Sequence, residues 1–128
     1  MTKPRAVVDT NIFVSALLGG RTCRAIVDLI DKGAVTLVFS NPLLKEIQTV
    51  LTDKELGNIS SGDIERLFKT LERRSLIVNP GRTLDLCRDP EDNIVLEAAL
   101  EGEADFLVTG DKDLLSLRSL HKTHILSP

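Results

Sequence analysis

The feature that most constrains this chain is its repeated switch between short β-branched runs and amphipathic helical stretches. Arg5-Ala-Val-Val-Asp9 stops at the polar turn Asp9-Thr10-Asn11. Helical spacing follows over residues 12–18 and 22–32, broken at Gly19-Gly20 and ended by Gly33. Val35-Thr-Leu-Val-Phe39 then runs into Ser40-Asn41-Pro42, where Asn41 is the expected cap of a helix over 42–52. Ile64, Leu67, Phe68 and Leu71 mark a helix over 62–74, followed by a strand over 75–79. The pattern closes with a helix over 90–101, a strand over 104–109, a short helix over 112–117 and a strand near 123–126. Strands separated in this way by helices form a mostly parallel sheet covered on both faces, an α/β sandwich.

A length of 128 residues fits one domain with one core, and no repeat or long linker divides it. Four Phe and no Tyr or Trp make that core aliphatic and leave few rings for stacking on bases. Cys23 and Cys87 have neither CxxC nor metal-ligand spacing, so they are expected as free thiols in a reducing compartment. No secretory leader precedes the first strand and no apolar run approaches the roughly 18 residues needed to span a bilayer. The expected location is therefore cytoplasmic. The net charge of −3 neither supports nor excludes a nucleic-acid substrate, because bound divalent cations reverse the sign of an acidic pocket.

Carboxylates fall where such a sheet binds ligands, outside the carboxyl ends of its strands. Asp9 directly follows the first strand and Asp111 lies two residues past Thr109, although either would also serve as a turn or cap residue. Asp92 stands out because Val95, Leu96 and Ala99 share its side of the helix, which turns an acid toward the core. A plain helix-start role, with Asp89 as cap and Pro90 first, explains the residue types but not that direction. Glu46 borders the apolar face between Leu43 and Val50. Four acids near one rim would repel one another without a counter-ion, and hard oxygen ligands suit Mg²⁺ or Mn²⁺. His121 and His124 flank the last strand and are expected at the surface.

Asp9-Thr10-Asn11, Glu46, Asp89-Pro-Glu-Asp-Asn93 and Val108-Thr-Gly-Asp-Lys-Asp113 together resemble the PIN-domain family, and in particular the stand-alone toxins of toxin–antitoxin pairs. The resemblance runs in order over nearly the whole chain. It implies a three-layer α/β/α sandwich with a sheet of about five mostly parallel strands. It also implies a metal-dependent ribonuclease acting on single-stranded RNA. Asp9, Glu46, Asp92 and Asp111 match the acidic quartet, with Asp9, Asp92 and Asp111 as metal ligands. Asp113 matches an accessory ligand, while Thr10, Asn11 and Thr109 match supporting polar positions. A cognate antitoxin reaching the acidic pocket with an arginine, and a homodimer, are the partners that the resemblance implies.

Arg21, Arg24, Lys112 and Arg118 follow the two strand-end motifs and are candidate substrate contacts, whereas Arg66, Lys69, Arg73 and Arg74 read as a solvated helix face. Two rival functions remain open at this point. An Asp9-nucleophile phosphatase is disfavoured because Asn11 stands where a second aspartate is usual. A non-catalytic RNA- or protein-binding module would need the acids only for metal-dependent stability.

Overall fold

The computed structural model describes residues 3–52, 59–81, 85–87 and 89–128. Its elements run β1 (Arg5–Val8), α1 (Thr10–Leu17), α2 (Arg21–Asp31), β2 (Thr36–Ser40), α3 (Asn41–Leu51) and α4 (Ser61–Arg74). They continue β3 (Ser75–Val78), α5 (Pro90–Glu101), β4 (Phe106–Val108), α6 (Lys112–Leu117), β5 (Ser119–Leu120) and β6 (Thr123–Leu126). The α/β alternation expected from the sequence is therefore present, as a six-stranded sheet in the order β3-β2-β1-β4-β6-β5. All pairings are parallel except that of β5 with β6.

Strand order dictates the layers. From β1 the chain moves outward through β2 to β3, then returns to the other side of β1 for β4 and β6. Right-handed crossovers place α1–α4 on one face and α5–α6 on the other. Side chains agree. Phe13 of α1 stacks on Phe39, their ring centroids 6.2 Å apart, whereas Gly102 at the end of α5 lies against Val38, which points the opposite way. A Cβ at Gly102 would sit 2.5 Å from Val38 Cγ1, so only glycine lets α5 approach β2 this closely. Between the layers Val7, Leu37, Val38, Leu96 and Leu107 are fully buried, an aliphatic core as the composition requires.

Two local expectations are corrected. Ser40, not Asn41, caps α3: its extended backbone (φ −120°, ψ 164°) lets Oγ accept from the Leu43 N–H at 3.3 Å. The short strand β5 was not anticipated, because two residues are too few to show alternation. It is set up by turns at Arg118 and His121, which take φ of 63° and 52°. Cys23 and Cys87 are free and half-buried. No helix among the described residues is long and apolar enough to cross a membrane.

Candidate active site

The strand order reverses between β1 and β4, the place at which open α/β sheets bind ligands. Asp9 leaves β1 at this point. Its backbone has the extended conformation of an N-cap (φ −62°, ψ 145°), yet its carboxylate closes no capping hydrogen bond onto α1. Instead, Oδ2 accepts from the Thr109 hydroxyl at 2.8 Å. Thr109, fully buried at the end of β4, also receives the Asp111 N–H on the same hydroxyl at 3.0 Å. One threonine thus ties the acid of β1 to the turn that carries the acid after β4. Burial raises the Asp9 pKa and Asp111 adds to it, while Thr109 and the N–H groups of Thr10 and Asn11 pull it down.

Asp92 arrives from the opposite layer. Asp89 accepts from the Glu91 N–H at 3.0 Å and Pro90 opens α5, so the helix-start chemistry is real. It leaves Asp92 facing inward, only 8% exposed, on the stripe shared with Val95, Leu96 and Ala99. Burial, followed by the charges of Asp111, Asp89, Asp9 and Asp113, raises its pKa from 3.8 to about 6. Asp111 caps α6 through Oδ1, which accepts from the N–H groups of Asp113 at 2.8 Å and Leu114 at 3.4 Å. Its turn role and its place at the rim therefore coexist. Asp92, Asp111 and Asp113 each offer an oxygen within 4.8 Å of the others.

Glu46 of α3 is half-buried beside Asp9, and its Oε2 accepts from the Thr10 hydroxyl at 3.1 Å. Burial raises its pKa most. The Thr10 bond opposes this, and Asp9, Glu91 and Asp89 add repulsion. The four acids singled out from the sequence thus share one electrostatic basin. Asp113, expected as an accessory, belongs to its tightest group, whereas Asp9 and Glu46 are held at its side by threonines. Thr10 and Thr109 hydrogen-bond Glu46 and Asp9; Asn11 is exposed, and among the described residues its side chain makes no hydrogen bond to these acids.

The candidate cations are dispersed. Lys112 adjoins Asp111 and is exposed, as is Arg21 at the start of α2. Arg24 lines a cleft of about 250 Å³ with Asp28, Asp31, Asp63 and Arg66, and Arg118 sits where the edge strand joins α6. Among the described residues no Lys or Arg pairs with Asp9, Glu46, Asp92 or Asp111; the ion pairs are Arg66–Asp63, Lys69–Glu65, Arg73–Asp31 and Lys122–Asp105. Three of these acids are raised in pKa with no basic partner among the described residues, and all the donors are hard oxygens. That donor set fits Mg²⁺ or Mn²⁺.

Two neighbours of the basin were not foreseen. Burial raises the Cys87 thiol pKa, and the charges of Asp92, Asp113 and Asp111 add to it. Asn93 is 6% exposed and bonds the backbone of the segment that carries Cys87. Its place directly after Asp92 in a helix start was the available signal.

The sheet order and the strand-end acids define an α/β protein with a cluster of carboxylates at its switch point. A family model of the PIN domain matches residues 5–113, and the chain belongs to that family, whose members are in general nucleases. An uncharacterised protein of Methanocaldococcus jannaschii, MJ1680, is 36% identical over 125 residues, spanning 94% of this chain and 79% of the relative. The crystal structure of VapBC2 from Rickettsia felis, bound to a DNA fragment from their promoter, superposes with a TM-score of 0.62. That match covers 97% of this chain and 98% of the other at 16% identity, a likeness of fold.

Proposed function

We propose that the protein is a Mg²⁺- or Mn²⁺-dependent endoribonuclease acting on single-stranded RNA, and the toxin half of a toxin–antitoxin pair. The observation that carries the nuclease reading is the convergence of Asp92, Asp111 and Asp113 within 4.8 Å, beside Asp9, with no basic partner for Asp92 or Asp111 among the described residues. Bound metal would lower the pKa of a coordinated water and offset the charge that develops on the attacked phosphate. Asp92 and Asp111 would hold it, joined by Asp9 and Asp113. Glu46, kept in place by Thr10, would orient the attacking water, and Thr109 would fix Asp9 against the Asp111 turn. Lys112, adjoining Asp111, is the best placed of the four cations for a substrate phosphate, with Arg21, Arg24 and Arg118 more remote candidates.

The toxin role rests on family membership and on the fold shared with VapBC2. Its antitoxin would neutralise the acidic basin with a cation such as an inserted arginine, and the active form would be a homodimer in the cytoplasm. The test is cleavage of an end-labelled single-stranded RNA with Mn²⁺ by wild type and by Asp92→Asn. Cutting by wild type, abolished by Asp92→Asn and by EDTA, supports the reading. RNA binding without cutting by either protein overturns it in favour of a non-catalytic module.

A further inference from the structure

We propose that Asn93 is a positioning residue whose carboxamide clamps residues 86–87 beside Asp92 and thereby sets the affinity of the acidic basin for a divalent cation. This rests on the metal reading above. Asn93 Oδ1 accepts from the N–H groups of Leu86 at 3.0 Å and Cys87 at 2.9 Å, while Nδ2 donates to the Cys87 carbonyl at 3.3 Å. The side chain is 6% exposed, so these bonds form away from competing water. Among the described residues they are the only hydrogen bonds that the Leu86 and Cys87 backbones make.

The placement explains why a helix start would carry a buried amide. Asp89 caps α5, and the Asp92 N–H donates to the Asp89 carbonyl at 3.1 Å, which fixes the first turn. The chain enters that turn from Asp85-Leu86-Cys87, a segment without strand or helix pairing. Asn93, one residue past Asp92, grips this segment and ties it to the first turn of α5. The segment that leads into α5 is thereby fixed to the helix start that carries Asp92. With the clamp removed, the approach to α5 loosens, and the carboxylates must be gathered from a looser arrangement when they take up a cation. Residues that orient metal ligands without touching the metal typically change affinity by about 10–100-fold.

The experiment is Mn²⁺ titration by calorimetry of wild type, Asn93→Leu and Asn93→Asp, with metal-free melting temperatures as the fold control. Asn93→Leu keeps the volume and loses all three bonds; Asn93→Asp keeps both acceptor bonds. The expected result is a Kd at least tenfold weaker for Asn93→Leu and within threefold of wild type, or tighter, for Asn93→Asp. A folded Asn93→Leu that binds Mn²⁺ as wild type does overturns the clamp. So does an Asn93→Asp that is as weak as Asn93→Leu. A wild type that binds no Mn²⁺ overturns the metal reading itself. Should Asn93→Leu fail to fold, amide exchange in the wild type decides: slow exchange at Leu86 and Cys87 is expected, and free exchange there refutes the clamp.

Discussion

Replacing Asp92 by asparagine removes a charge that the metal-free protein holds at a cost. Burial, and then the carboxylates of Asp111, Asp89, Asp9 and Asp113, carry its pKa from 3.8 to about 6. An acid raised in this way binds protons more tightly when folded. Its contribution to stability is full below about pH 4 and is lost as pH rises through about 6. At pH 7 the displacement corresponds to roughly 3 kcal/mol, which screening by solvent at the edge of the sheet reduces to about 1–2 kcal/mol. In EDTA at pH 7, Asp92→Asn therefore melts above wild type, by about 3–8 °C for a chain of this size. The gap closes toward pH 4, where the wild-type carboxyl is protonated. Saturating Mn²⁺ reverses the order, since a cation at one hundred times its Kd stabilises wild type by about 2.7 kcal/mol. Scanning calorimetry over pH 4–8, with EDTA and with Mn²⁺, reads all three. A variant that melts below wild type in EDTA at pH 7, or a gap independent of pH, refutes the reasoning.

Thr109→Val deletes the hydroxyl that bonds Asp9 and accepts from the Asp111 N–H while keeping the buried volume. It is expected to lose about 1–3 kcal/mol by urea denaturation and to weaken Mn²⁺ binding by about tenfold, whereas Thr109→Ser stays near wild type. Glu103 follows the end of α5 with φ at 49°, a conformation natural to glycine. Glu103→Gly should therefore raise stability by about 0.5–1 kcal/mol in the same assay.

Much of this arrangement was legible in the sequence because it depends on local patterning. Periods of two and 3.6 located the long elements, and the apolar neighbours Val95, Leu96 and Ala99 revealed that Asp92 faces inward. What stayed hidden depends on contacts between distant or irregular segments. Asp113 lies only two residues past Asp111 in the chain, but its closeness to Asp92 is created by the packing of α5 against the β4 turn. The Thr109–Asp9 bond crosses 100 residues of sequence. Asn93 acts on the backbone of a loop that has no period to read, and Ser40 displaced Asn41 as a cap by a single residue of strand extension.

Anomalous scattering from a Mn²⁺-soaked crystal of the wild-type protein locates the cation relative to the four acids. A peak is expected at coordinating distance from carboxylate oxygens of Asp92 and Asp111, with Asp9 reached directly or through one water. A peak held elsewhere on the molecule, or none beside these acids at saturating Mn²⁺, refutes the carboxylate metal site.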